Sequence, residues 1–299
     1  MTATYADFLA SKQAMAPAVG REIEPGDVHP FLHDWQAEIV RWAVARGRGG
    51  LWTTTGTGKT AMQLQWSQLS GNTSLIVAPL AVCQQTSREA ANKLDMDVRY
   101  VRDGEQITGP GVWITNYEMV ERFDPRHLDA VALDEGSILR DSTGATRSLL
   151  IDLFTGVPRR LSCTATPAPN DAEELTNQSA FLGVMSRVDM LAAYFIHDDN
   201  GWRVKGHARR GLYRWMAQWA IALRRPSDIG GSDEGYILPG LDVVPELVPV
   251  HVETPDQLFA TELGGVSGTA RVRRETLSAR CERAAELVGL CRKHEADFL

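Results

Sequence analysis

The chain has 299 residues, 43% of them hydrophobic, and a formal charge of -7 at neutral pH. This length holds one large domain or two modest ones with real cores, and the acidic balance excludes a surface coated in nucleic-acid-binding charge while leaving room for a local basic groove. No apolar run approaches the ~20 residues that cross a bilayer, and Met1–Ala10 has neither the basic flank nor the apolar core of a signal peptide, so a soluble, cytoplasmic protein is expected.

The first thirty residues, with Pro17, Gly20, Pro25, Gly26 and Pro30, read as an irregular lead-in, and a helix is predicted to start near Asp34. From Gly50 to about Leu182, short aliphatic or β-branched runs alternate with helix-length amphipathic stretches. This is the pattern of an α/β fold whose parallel sheet is flanked by helices. Strands are predicted at Gly50–Thr54, Ser74–Ala78, Val98–Val101, Val112–Thr115, Val131–Asp134 and Arg160–Thr164. Ligands of open α/β sheets bind beyond the carboxyl ends of the strands, so the chemistry is expected just after these runs.

After Leu182 the texture changes. Arg187–Arg225 carries eight Lys or Arg against three Asp, interleaved with Tyr194, Phe195, Trp202, Tyr213, Trp215 and Trp219, and reads as a mostly helical insert. Pro226–Gly240 is predicted to be a loop and Leu241–Val252 an extended linker. Leu277, Cys281, Ala284, Val288 and Cys291 then recur at helical spacing, which predicts a last helix. The expected organisation is a lead-in over 1–30, an α/β lobe over 31–182, the insert over 183–240 and a remainder over 241–299. Cys83, Cys163, Cys281 and Cys291 form no CxxC pair and read as reduced core residues. His29 and His33, and His197 and His207, lack companion ligands at metal spacing and read as surface or capping residues.

Three segments carry chemistry. Thr53-Thr54-Thr55-Gly56-Thr57-Gly58-Lys59-Thr60 follows a predicted strand and opens a predicted helix. Phosphates bind where backbone N–H groups converge at a helix N-terminus; glycines permit the approach, a lysine neutralises the β/γ charge and the following hydroxyl holds Mg²⁺. Thr55, Gly56, Thr57, Gly58, Lys59 and Thr60 are therefore the candidate ATP-binding residues, although Thr53 stands where the pattern GxxxxGK[ST] has glycine. Second, Ala130–Glu135 is an apolar strand ending in two carboxylates. Asp134 suits the anchoring of Mg²⁺ together with Thr60, and Glu135 the activation of water, which with Lys59 gives the candidate catalytic set. Third, Cys163-Thr164-Ala165-Thr166-Pro167 places two hydroxyls at the same sheet edge, where they can sense the Asp134 region.

In this order the segments resemble the first RecA-like lobe of superfamily 2 helicases, and within them the Swi/Snf-like branch, including the helicases of bacterial viruses. Phe31–Gly240 is covered by the resemblance. It implies that Gln36 reads adenine, that Ala78-Pro79-Leu80 and Thr115-Asn116-Tyr117-Glu118 are nucleic-acid contact segments, represented by Pro79, Thr115 and Asn116, and that Ser137, Thr164 and Thr166 couple the sites. Asp134-Glu135-Gly136-Ser137 stands where DEAD or DEAH is usual. Arg140-Asp141, Thr164–Asn170 and Ala222-Leu223-Arg224-Arg225 match further Swi/Snf-like segments.

The resemblance also implies ATP and Mg²⁺ as cofactors, DNA as partner with duplex favoured, and a second RecA-like lobe supplying arginine fingers. Leu241–Leu299 is too short for that lobe, which needs well over ~100 residues, and is expected to hold only its beginning. In the insert, arginines can pair phosphates and aromatics can stack on bases. Trp215 and Trp219, four apart, read as core, and Arg203, Lys205, Arg209 and Arg210 as candidates for the groove. Arg271-Val272-Arg273-Arg274 reads as a solvated helix face paired with Glu275. Two other functions fit the same motifs: a non-catalytic ATP-dependent DNA-binding or partner-recruiting module, and the motor lobe of a restriction system.

Overall fold

The computed structural model describes residues 16–140, 144–199, 201–237, 243–249, 273–274 and 276–296. It divides into two units, Met1–Leu238 and Pro239–Leu299. The first carries a seven-stranded sheet in the order β3-β4-β2-β5-β6-β1-β9, with every pairing parallel. Its strands are β1 (Arg48–Thr53), β2 (Thr73–Ala78), β3 (Val98–Tyr100), β4 (Gly111–Asn116), β5 (Ala130–Asp134), β6 (Arg159–Cys163) and β9 (Ala220–Leu223). The first six lie within two residues of the predicted runs.

The near-continuous apolar character of the central strands follows from burial on both faces. Alternate side chains of each strand point to opposite sides of a sheet. Ile76, Ala78, Ala130 and Ala132 accordingly join the core under α1 (Asp34–Arg46), α2 (Lys59–Leu69) and α3 (Leu80–Leu94), with Ile39, Met62 and Trp66 from the helices. Leu75, Val77, Val131 and Leu133 join a second core with Leu150 and Phe154 of α4 (Ala145–Phe154) and Phe181 of α5 (Leu175–Leu182). The result is a three-layer α/β lobe with helices on both faces, as the alternation predicted.

The segment after Leu182 is less helical than its composition suggests. It contains α6 (Arg187–Tyr194), the antiparallel hairpin β7 (Phe195–Asp198) and β8 (Gly201–Val204), α7 (Arg209–Met216) and then β9, which pairs with β1 and so completes the main sheet. Trp215 and Trp219 are buried, as expected; Trp219 lies past the end of α7 and packs edge-on against Trp52 at 5.5 Å between ring centroids. Cys83 and Cys163 are buried free thiols, but Cys281 is exposed on its helix and is not a core residue. The Cys291 side chain lies outside the described residues.

In the second unit, residues 243–249 have no regular structure and α8 spans Leu277–Ala296. Arg283 bonds Glu246 at 2.7 Å and Glu286 at 2.9 Å. The remainder of the expected second-lobe beginning, the pairing partner Glu275, Arg271, Val272 and the Asp141 of Arg140-Asp141 lie outside the described residues. Among the described residues no helix is long and apolar enough to cross a membrane.

Candidate nucleotide site

Because every strand of the seven-stranded sheet runs the same way, the segments after β1, β6 and β5, three neighbours in that sheet, emerge at one carboxyl edge. The Thr53–Thr60 loop joins β1 to α2, and Lys59 and Thr60 are the first two residues of that helix. Gly56 and Gly58 have φ of 87° and 81°, the left-handed region that glycine enters without a Cβ penalty. Lys59 folds back over the loop, its Nζ donating to Thr53 O at 2.7 Å and Thr54 O at 3.0 Å. Burial lowers its pKa, while the charges of Glu135, Cys163 and Asp134 act to raise it. The lysine thus lies within electrostatic reach of the acidic pair.

Thr53, the departure from the glycine pattern, has a structural part to play. Its hydroxyl is fully buried and meets Thr57 Oγ1 at 2.6 Å, and Thr57 Oγ1 donates to Thr54 O at 2.7 Å. With Thr57's proton committed, Thr53 is the donor between the two, and the hydroxyls clasp the base of the loop. Thr54 Oγ1 donates to Arg224 O at 2.6 Å, which ties the loop to the end of β9.

Gln36 lies beneath this loop rather than at an open surface. Its Oε1 accepts from His33 N at 2.9 Å, closing the first turn of α1, and its Nε2 donates to Thr57 O at 2.8 Å. A Cβ at Gly58 would collide with that Nε2. Reading a base would require Gln36 to give up one of these bonds; as placed, it is a strut for the loop.

Asp134 ends β5 and Glu135 follows at φ 55°, a left-handed conformation unusual for a residue with a side chain. Tyr117 Oη donates to Asp134 O at 2.6 Å and anchors the strand end. Burial, followed by the charge of Glu135, raises the Asp134 pKa to about 6 against the lowering effects of a backbone hydrogen bond and Lys59. A half-buried carboxylate with this excess of negative charge suits a divalent cation. Among the described residues no group of three or more His, Cys, Asp or Glu converges, so such a cation has to bring phosphate and water oxygens with it, which is how Mg²⁺ is ordinarily held. Asp134 is the carboxylate at this edge whose chemistry fits such a cation.

Ser137, Thr164 and Thr166 are near this edge but do not form a direct chain. Among the described residues Ser137 Oγ reaches only Glu135 O, at 3.5 Å, and Thr164 Oγ1 accepts from Thr166 N at 3.1 Å. The segments are joined instead by α5, whose Thr176, Asn177, Gln178 and Ser179 are all fully buried. Four consecutive polar residues read in sequence as a solvated turn, and no spacing signal marks them as interior.

The nucleic-acid candidates separate. Thr115 and Asn116 are 0% and 1% exposed, which corrects their expected place on a contact surface. Asn116 accepts from Tyr100 Oη at 2.7 Å and donates to Glu118, holding the turn after β4 from inside. Pro79 is half-buried and lines a cleft of about 520 Å³ with Glu118, Glu135, Ser137, Arg140 and Arg147, so one residue of each predicted contact segment shares a cleft with Glu135. Arg203 and Lys205 lie on and just after the hairpin. Arg203 pairs with Asp198, and Lys205 Nζ donates to Ala192 O at 2.7 Å at the end of α6. Both are engaged in holding the hairpin to its surroundings.

Fold and loop together define a RecA-like α/β lobe with a glycine-rich loop at the carboxyl edge of its sheet. The Sulfolobus solfataricus SWI2/SNF2 ATPase core, solved in complex with dsDNA, has this fold: the match has a TM-score of 0.56 at 18% identity and covers 68% of this chain and 46% of that one. The chain therefore spans less than half the length of that core. The UvsW helicase from bacteriophage T4 (TM-score 0.43, 15% identity, 62% of this chain and 67% of that one) and the Pyrococcus furiosus Hef helicase domain (0.42, 17%, 51% and 37%) align too loosely to add to this. No protein-family model and no curated protein matches the sequence.

Proposed function

We propose that this chain is the ATP-binding lobe of a nucleic-acid-dependent ATPase, a DNA helicase or translocase that needs a second RecA-like lobe for efficient hydrolysis. The observation that carries this reading is the placement of Lys59 and the Asp134–Glu135 pair at one sheet edge, after parallel strands separated only by β6.

In this reading, backbone N–H groups of Gly56–Thr60 and the Lys59 ammonium bind the phosphates, and Asp134 and Thr60 hold Mg²⁺. A Mg²⁺ held there would supply neutralisation of charge on the β- and γ-phosphates. Glu135, exposed at the mouth of the cleft, orients and deprotonates the attacking water. Lys59 leaves Thr53 O and Thr54 O to meet the phosphate, and Gln36 and the Thr53–Thr57 clasp keep the loop in shape while it does so. Pro79, Arg140 and Arg147, along the adjoining cleft, are the residues placed to meet a nucleic-acid backbone. The duplex DNA in the S. solfataricus structure supports DNA as the partner.

Single-turnover hydrolysis of Mg²⁺-ATP by the wild type and Glu135→Gln tests this. The variant is expected to bind ATP normally and to hydrolyse it about 10²–10⁴-fold more slowly, the usual contribution of a general base. Equal rates in the two proteins would instead favour a nucleotide-dependent binding module.

A further inference from the structure

We infer that Gln178 is a positioning residue for hydrolysis, its buried amide fixing the turn that carries Glu135 against the Thr164–Pro167 loop. The inference rests on the ATPase reading above. It begins with the backbone of Glu135. A left-handed conformation is unfavourable for a residue with a side chain and persists only where its surroundings determine it. The next peptide supplies that constraint: Gln178 Nε2 donates to Gly136 O at 2.9 Å and also reaches Pro167 O at 3.4 Å. Its Oε1 accepts from Ser162 Oγ at 2.7 Å.

One amide therefore joins the turn after β5, the body of β6 and the loop after β6. Among the described residues, Gln178 is the side chain that bonds both the 136–140 turn and the 164–167 loop. It is fully buried, so water cannot replace a lost bond, and an unmet buried polar group is costly. The turn has no slack either, because a Cβ at Gly136 would collide with Ser162 Oγ. Asn177, the neighbour of Gln178, grips the far end of the same turn, its Nδ2 donating to Leu139 O at 2.9 Å and Arg140 O at 3.3 Å. Helix α5 thus orients the base-bearing turn, and among the described residues none of its side-chain hydrogen bonds reaches the phosphate loop, so removing its central amide should affect the chemical step while sparing ATP binding.

The experiment measures ATP affinity, Tm and single-turnover hydrolysis of Mg²⁺-ATP for the wild type, Gln178→Met, Gln178→Glu and Glu135→Gln. Gln178→Met keeps the volume and loses the bonds. Its ATP affinity should stay within about threefold of wild type while hydrolysis falls on the order of 10²-fold, the scale of a small misplacement of a reacting group. In Gln178→Glu, burial favours a protonated carboxyl, which can donate to Gly136 O and accept from Ser162. This variant should approach the wild-type rate at low pH and lose rate relative to wild type as pH rises and the proton leaves.

Wild-type hydrolysis by folded Gln178→Met would overturn the inference. A loss of ATP affinity in step with Tm, with an unchanged rate for the bound fraction, would overturn it too, since Gln178 would then be only a core residue. A Gln178→Glu pH profile identical to that of the wild type would have the same force. If the wild type and Glu135→Gln are equally inert, the ATPase reading itself fails and this inference falls with it.

Discussion

Asp134 sits where burial and the charge of Glu135 both disfavour its ionised form, and its pKa rises from 3.8 to about 6. Between those values the folded protein holds a proton that the unfolded chain has released. This group therefore makes the protein less stable as pH rises from about 4 to about 6, by no more than about 3 kcal/mol. Asp134→Asn should remove that part of the slope and raise Tm above pH 6, read by thermal unfolding across pH without nucleotide. Binding of Mg²⁺-ATP should oppose the shift, so affinity should increase with pH through the same window. The Thr53–Thr60 loop was legible as a strand-to-helix turn because its signal is local: glycines, a lysine and a hydroxyl between a strand and a helix. The part played by Thr53 was not, because the Thr57 contact that explains it exists only once the loop closes. Thr53→Gly restores the general pattern yet should lower stability by about 1–2 kcal/mol, losing the clasp and adding unfolded-state freedom. An equal or higher Tm would argue against the clasp.

At the scale of elements, the six strands that positioned the chemistry could be read from apolar runs ending in small or polar residues. β9 could not, since Ala220–Leu223 is too short for periodicity to tell strand from helix and owes its form to pairing with β1, far away in sequence. The basic texture of the hairpin likewise hid what Arg203 and Lys205 do, because intramolecular pairing depends on tertiary neighbours. Helix α5 gave no signal of its interior role, as its buried polar run satisfies backbone carbonyls of segments 11 to 42 residues away in sequence. Two glycines test how tightly elements meet at the site. Gly58→Ala must accept a left-handed backbone and displace Gln36, and should destabilise the protein by roughly 2 kcal/mol. Gly136→Ala should cost about 1–3 kcal/mol through overpacking against Ser162. Denaturant unfolding of each variant checks these values, and a wild-type midpoint for either would show more slack than the packing allows.

For the whole molecule, a parallel sheet explains why segments 80 residues apart in sequence reach one edge, and that much of the architecture followed from the alternation of strands and helices. In the second unit the helix predicted from Leu277, Cys281, Ala284, Val288 and Cys291 is present as α8, while most of the rest of the expected second-lobe beginning lies outside the described residues. On the proposed reading, the 299 residues alone should hydrolyse ATP slowly, because an arginine finger typically contributes 10³–10⁵ in rate. A preparation that supplies a second RecA-like lobe should respond to duplex DNA more than to single-stranded DNA or RNA, checked by ATPase assays with each. The most direct measurement is calorimetric titration of Mg²⁺-ATP into the wild type and Lys59→Ala at neutral pH. One ATP should bind the wild type, and Lys59→Ala, with an unchanged Tm, should bind at least about tenfold more weakly, as expected for loss of a charge-assisted contact. No binding by the wild type, or equal binding by both, would contradict the assignment of this loop as an ATP site.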